Sequence, residues 1–313
     1  MTRPPHRHLP PMRDGVSASC VALPSVRPSP WPTLLDFLSH RLPNVSRDEW
    51  RTRMNQGAVL DEQGRPLLCD TRYPLDLSRS PLNRVYYYRS LTHEPRIPFE
   101  AQVLFQDEWI VVADKPHFLP VTPSGHYVQE TLLVRLKRQL GIETLSPIHR
   151  IDRETAGLVL FSVRPQDRGG YQALFRDKAV HKTYEAIAPW HADLARPLTR
   201  RSRIEPDTRF FRQREVAGPA NSETRIELIE RLGPLARYRL TPVTGKTHQL
   251  RVHMNALSLP IEGDLFYPNV VQPPGTSQEN YAHPLQLLAQ TISFDDPVSG
   301  LNRRFESQRK LRG

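Results

Sequence analysis

An α+β fold, with a mixed and largely antiparallel sheet flanked by helices and loops, is predicted by three features of this 313-residue chain. Short β-type runs and helical runs follow one another irregularly, without the strand–helix alternation that builds a parallel sheet. The helical patterns are short and bounded by capping residues, proline or glycine. Hydrophobic residues make up 38%, enough for a sizeable core, yet no apolar run approaches the length that crosses a bilayer.

Taken in order, residues 1–30 carry Pro4, Pro5, Pro10, Pro11, Pro24, Pro28 and Pro30. Proline blocks helix and sheet, and few apolar side chains are present to offset ordering entropy, so a disordered tail is expected. No apolar central region of a signal peptide is present.

Residues 31–80 read as a small helical module. Thr33 caps a helix with Leu34, Leu35, Phe37, Leu38 and Leu42 on one stripe, ended by Pro43. Ser46 and Glu49 form a capping-box pattern for a second helix, whose Arg47, Arg51 and Arg53 make one face basic. Gly57 ends it, Ala58-Val59-Leu60 reads as a strand, and Asp61 to Gly64 as a turn. Residues 81–98 read as a linker. Its Tyr86, Tyr87 and Tyr88 suit either stacking on bases or pinning the linker to the following domain.

From residue 99 to 303 the elements multiply. Trp109 to Ala113 is a strand broken by Asp114-Lys115-Pro116, and Pro120 to Gly125 is a loop. Glu130 to Leu140 is an amphipathic helix, with Leu132, Leu133, Leu136 and Leu140 inward and Arg135, Lys137 and Arg138 outward. Strands follow at 158–163, 183–188, 224–229 and 237–240. A helical stretch at 166–175 is interrupted by Gly169-Gly170, and another lies near 248–257.

The formal net charge of +10, mostly from arginine, suits a polyanionic partner, because arginine favours planar, bidentate phosphate contact. Charge alone does not separate RNA from DNA or an anionic membrane. Cys20 and Cys69 form no disulfide framework and match no zinc spacing, so a reducing, cytoplasmic setting is the simplest expectation. His149, His248 and His253 match no metal-binding spacing, and no phosphate-cradling glycine loop occurs; no metal and no cofactor are expected.

The most informative stretch is His149-Arg150-Ile151-Asp152-Arg153-Glu154-Thr155-Ala156-Gly157, followed by an apolar run. Asp152 between two arginines is kept ionised. Such a carboxylate serves as a nucleophile or base, or simply as a structural ion pair at a strand end. This stretch resembles the catalytic motif of RluA-type pseudouridine synthases, His-Arg-Leu-Asp-x-x-Thr-Ser-Gly, with Ile151 and Ala156 as the departures. Four further segments resemble that family in register: Asp114-Lys115-Pro116 with Pro123; Lys182-Thr183-Tyr184-Glu185-Ala186; Thr244-Gly245-Lys246-Thr247-His248-Gln249-Leu250-Arg251-Val252-His253; and Pro260-Ile261-Glu262-Gly263-Asp264 with Tyr267. The last reads as structural. Leu288 and Asp296 stand where the family often has histidines, and Lys246 where it usually has arginine.

The resemblance implies that residues 99–303 isomerise uridines to pseudouridine in structured rRNA or tRNA, with no cofactor. In that reaction uracil is detached, turned and rejoined through a ring carbon. Asp152 is implied as the nucleophile or base, Arg251 as its partner, and Tyr184 as the aromatic against the base whose phenol helps remove the ring proton. Leu250 would close the pocket. Base extrusion costs a few kcal/mol, and Arg150 would fill the vacated stack. Lys115, Arg153, Lys182, Lys246 and the outer face of the 130–140 helix would hold phosphates. Residues 31–80 are similar, in degenerate form, to a small RNA-binding module shared with a ribosomal small-subunit protein. Their alternative is a helical cap with a solvated basic face. For the whole chain, two alternatives stay open: a non-catalytic RNA-binding protein that keeps the fold, or an N-glycoside hydrolase. A hydrolase ordinarily needs two carboxylates, and only Asp152 stands out. RNA is the expected partner, without a membrane, and a monomer is the default.

Overall fold

The computed structural model describes residues 10–25, 28–43, 45–74, 82–89, 94–125, 127–192, 196–208, 211–271 and 280–312. Expectations on residues 1–9, 26–27, 75–81 and 90–93 lie outside that set. The chain divides into two compact units, residues 1–93 and 94–313.

The first unit contains β1 (Ser19–Ala22), α1 (Leu34–Arg41), α2 (Arg47–Asn55), β2 (Val59–Leu60) and β3 (Arg84–Tyr87), with the strands ordered β1-β3-β2. Thr33 caps α1 in a reciprocal capping box with Asp36. Ser46 caps α2, but Glu49 pairs with Arg53 instead of closing a second box. Leu34, Phe37, Leu38, Trp50, Val59 and Val85 share the buried core, each contributing roughly 1.5–3 kcal/mol of apolar burial.

Three expectations fail here. The disordered tail is ordered at Ser19–Ala22, because β1 pairs with β3 and so satisfies its backbone through a partner more than sixty residues away. The expected linker is divided between the units: its tyrosines belong to this one, with Tyr86 and Tyr88 buried and Tyr87 edge-on against Trp50 at 5.0 Å, while residues 94–98 belong to the second. The basic helix face is neutralised. Arg47 pairs with Asp36, Arg51 with Asp48, and the buried Arg53 with Glu49.

The second unit contains β4 (Gln102–Gln106), β5 (Ile110–Lys115), α3 (Leu132–Leu140), β6 (Ser146–Pro147), β7 (Ala156–Ser162), α4 (Arg168–Arg176), β8 (His181–Pro189), β9 (Leu198–Pro206), β10 (Gln213–Val216), β11 (Ser222–Leu232), β12 (Leu235–Pro242), α5 (Gln249–Ala256), β13 (Leu287–Asp295) and β14 (Asn302–Glu306). One sheet runs β10-β9-β11-β12-β8-β13-β7-β5-β4, with β14 joined to β13 and β6 to β7. The β13–β7 pair is parallel and the other pairs are antiparallel, so the sheet is mixed and largely antiparallel.

The parallel junction needs Gly157. Its φ is +108°, and an added Cβ would fall inside contact distance of the Ala289 carbonyl oxygen. α5 is tied to the sheet by side chains. Gln249 donates to Glu223 O at 3.0 Å and Thr224 Oγ1 at 2.9 Å. His253 lies between Thr224 Oγ1 at 2.9 Å and the hydroxyls of Ser202 and Ser222 at 3.0 Å.

Other boundaries shift for tertiary reasons. Asp114 and Lys115 end β5 rather than break it. α4 is continuous through Gly169-Gly170, which occupy its first turn. In α3, Lys137 is buried and Arg135 bends back to the carbonyls of Ile97 and Phe99 at 2.6 Å. The expected outward basic face is thereby reduced to the exposed Arg138. The unit also runs past residue 303. Ser307 and Gln308 bond the buried Asp114 carboxylate, and Arg309 donates to Glu100 O at 2.8 Å.

Candidate active site

Asp152 lies in residues 148–155, the connection from β6 to β7, and hydrogen bonds hold this loop on both flanks. Ile148 N donates to Leu160 O at 2.9 Å, and the Leu160 N–H donates to His149 Nε2 at 3.1 Å. The His149 ring stacks on Phe175 at 4.7 Å. Burial, reinforced by the charge of Lys182, pushes His149 down to about 3, so the ring is neutral and works as an acceptor. On the other flank, Lys115 Nζ donates to Pro116 O, Leu119 O and Arg153 O at 3.0, 2.8 and 2.9 Å. His117 Nδ1 lies 2.7 Å from Glu154 O.

Lys115 therefore holds no phosphate. Its side chain is fully buried, burial pushes it down to about 7, and its hydrogen bonds go to backbone. It braces the loop that carries Asp152.

Opposite this loop stands α5. Arg251 is 1% exposed and makes a bidentate pair with Asp264, at 2.8 and 2.6 Å. Burial opposes its charge, but the hydrogen bonds and charge of Asp264 outweigh it and raise the guanidinium above its ordinary value. Asp264 Oδ1 also accepts from the N–H groups of Phe266 and Tyr267 at 2.9 and 3.2 Å. Gly263 makes this turn possible, since φ is +74° and a Cβ would strike the Pro284 carbonyl. The remaining face of Arg251 meets Asp152 Oδ2 at 3.4 Å and Glu154 Oε2 at 3.6 Å through Nη1. Three carboxylates thus surround one guanidinium, and the tightest contact is not the one to Asp152.

The Asp152 side chain keeps 24% of its surface exposed, against 1% for Arg251 and Asp264. It is the most accessible of the three carboxylates around Arg251. Tyr184, half-buried on β8, feels its charge. Burial first, then Asp152, raise its phenol, so the resting side chain is an O–H donor. Tyr184 packs against the buried cluster that contains Leu250.

Among the other expected contacts, Arg150 and Lys246 are exposed and Lys182 is half-buried beside the Phe175 ring at 5.6 Å. Arg153 lies over the Tyr127 ring at 5.3 Å and near Glu154. Asp296 is structural. Its buried carboxylate accepts from Tyr171 Oη at 3.0 Å and from Val298 N at 2.9 Å. Sequence patterning alone misses the place of Asp264, Glu154 and His248 in this cluster. The Gly-Asp pair at 263–264 was the available signal, since a turn glycine before an acid places that acid tightly against a neighbouring element.

A family model described as RNA pseudouridylate synthase matches residues 109–256, which include the Asp152 loop, Tyr184 and Arg251. An uncharacterized RNA pseudouridine synthase of Synechocystis is 32% identical over 75% of this chain and 79% of its own length. The dual-specificity RNA pseudouridine synthase RluA of Haemophilus influenzae is 28% identical, over 70% of this chain and 97% of that one. The ribosomal large subunit pseudouridine synthase D of Zymomonas mobilis is 25% identical over 87% of this chain and 88% of its own. Among solved structures, human RNA pseudouridylate synthase domain containing 1 superposes with a TM-score of 0.56 at 20% identity, covering 69% of this chain and 86% of that one. It shares the fold.

The protein is an RNA-modifying isomerase. It belongs to the RNA pseudouridylate synthase family, and within it to the RluA type.

Proposed function

We propose that the chain converts particular uridines of structured rRNA or tRNA to pseudouridine by extruding the base and exchanging the glycosidic bond at Asp152. The half-buried but accessible Asp152 carboxylate at the end of the Arg251–Asp264 ion pair carries this reading. Arg251 Nη1 faces Asp152 Oδ2 at 3.4 Å, and because Asp264 already holds that arginine in a bidentate pair, Asp152 is not quenched by a tight bidentate contact of its own. In the reaction the N1–C1′ bond breaks and its electron pair stays with the ring. After rotation C5–C1′ forms, the C5 proton leaves, and N1 gains a proton, so nothing is consumed.

Tyr184 stacks on the uracil. Since its phenol holds its proton, it takes up the ring proton only while passing its own on. Leu250 closes the pocket. Arg150 is the exposed guanidinium two residues from Asp152 and takes the vacated place in the stack. Lys246, Lys182 and Arg153 contribute phosphate contacts. Residues 31–80 act as a degenerate RNA-binding module. Their arginines already hold carboxylates, so phosphate must compete with Asp36, Asp48 and Glu49, and the affinity they add is small. The enzyme works as a cytoplasmic monomer without a cofactor.

Pseudouridine mapping of total rRNA and tRNA from cells lacking the protein tests this. One vanished position names the substrate. The Zymomonas alignment covers 87% of the chain, about 272 of 313 residues, more than the second unit contains. Large-subunit rRNA is therefore the first RNA to map. Unchanged maps would favour a non-catalytic binder, and free uracil released from RNA would favour a hydrolase.

A further inference from the structure

Asp152 has a second neighbour that the reaction as written does not use. His248 Nε2 lies 3.9 Å from Asp152 Oδ2, the same oxygen that faces Arg251 Nη1 at 3.4 Å. Both contacts fall on Oδ2. His248 caps α5 with left-handed backbone angles (φ +54°), a conformation that histidine and asparagine adopt more readily than most residues. That turn points the ring back at the loop instead of along the helix. On its far side, His248 Nδ1 lies 3.1 Å from Tyr267 Oη, and Tyr267 in turn accepts from Gln213 N at 2.8 Å.

Tyr267 Oη donates to Gln213 O at 3.0 Å and lies 3.1 Å from His248 Nδ1, so the tyrosine hydroxyl ties the ring to the start of β10. A neutral ring that carries its proton on Nε2 turns that proton, and not a lone pair, toward the Asp152 carboxylate. The groups around the ring are Asp152, Glu154, Asp264, Arg251 and Tyr267, and burial holds the imidazole below its ordinary value, in the neutral form.

Resting on the reading of Asp152 given above, we infer that His248, braced by Tyr267, which is itself bonded to Gln213 at the start of β10, is a positioning residue that fixes Asp152 Oδ2 and so presents Oδ1 to the substrate. It acts through Asp152 and needs no contact with uracil. An unbraced carboxylate rotates about its terminal bond, and misplacement by about 1 Å at a reacting atom costs on the order of 100-fold.

Single-turnover kinetics on a stem-loop RNA test this with His248→Asn, His248→Gln, Tyr267→Phe and the His248→Asn/Tyr267→Phe double variant. Asparagine tolerates the left-handed backbone and keeps a group near Nδ1 but cannot reach Asp152. Glutamine places an amide nitrogen near Nε2. His248→Asn is expected to slow the chemical step about 10- to 100-fold with RNA affinity unchanged. His248→Gln should recover most of that loss. Tyr267→Phe should slow the step less, and the double variant should be no slower than His248→Asn alone, because the two act as one unit. A wild-type rate in His248→Asn overturns the inference. So does a loss seen only in RNA affinity, failure of glutamine to rescue, or additive effects in the double variant. An inactive wild-type protein would instead overturn the reading of Asp152 on which this rests.

Discussion

Replacing Asp264 with asparagine perturbs the site at its most buried charge. Arg251 and Asp264 each keep 1% of their side-chain surface, and their two hydrogen bonds measure 2.8 and 2.6 Å. Asparagine keeps the shape but turns an amide donor or a weak acceptor toward a guanidinium that has only donors. The remaining anions, Asp152 and Glu154, stand at 3.4 and 3.6 Å and cannot replace a bidentate partner. Removing one member of a buried pair costs about 3–5 kcal/mol, because an uncompensated charge is left behind. With a urea slope of about 2 kcal/mol/M, the midpoint should fall by roughly 1.5–2.5 M. Urea titration followed by far-UV circular dichroism measures it. The same titration on Asp264→Asn/Arg251→Met should recover much of the loss, since removing both partners of a buried pair is often close to neutral. A midpoint within about 0.3 M of wild type for Asp264→Asn, or a double variant as unstable as the single, would refute the assignment of Asp264 as the main counter-charge of Arg251.

Further outcomes follow from the same contacts. Gly157→Ala meets both a positive φ and the Ala289 carbonyl; a strained backbone residue alone costs about 1–3 kcal/mol, so the thermal midpoint should drop by more than about 5 °C. His117, His149 and His253 are held at about 4, about 3 and about 4 by burial. Each folded-state value lies below the unfolded one near 6.5, so the stability these groups allow is complete above that pH and is lost as pH falls toward the folded values. One unit below 6.5 the loss is about 1.4 kcal/mol per group, or about 4 kcal/mol for the three. Denaturant titrations at pH 7.5 and 5.5 check this, and equal midpoints would contradict it. Arg150→Ala should slow reaction on a paired or stacked uridine more than on one already unstacked, because only the former must be extruded.

The chemistry of the site was more legible in the sequence than its support. Asp152 stands out by its place between two arginines, whereas Arg251, Tyr184 and Leu250 were reached through the resemblance of their segments to the pseudouridine synthase motifs; Arg251 lies against Asp152 and Tyr184 packs on the cluster that contains Leu250. The caps of α1 and α2 were visible as Thr33 and Ser46, since capping is local. Lys115 was misread because a lysine beside a loop looks solvated; only the tertiary path of residues 116–119 and 153 shows the carbonyls that enclose it. α2 read as a basic face because Asp36 lies on another helix, and helical spacing conceals such partners. β1 lies in a proline-rich stretch, and its strand exists only through pairing with β3. β9, Leu-Thr-Arg-Arg-Ser-Arg-Ile-Glu-Pro, carries more charge than strand patterning recognises, and its arginines are balanced across the sheet by Glu215 and Glu223.

Pseudouridine formation by Asp152→Asn, measured beside its RNA affinity, tests the proposed chemistry most directly. The substitution keeps size and removes the negative charge of the most accessible carboxylate around Arg251. The expected result is no detectable pseudouridine on an RNA that the wild-type protein modifies, with affinity for that RNA within about twofold, because the phosphate contacts lie on other side chains. Product formed at a rate near wild type would contradict the account.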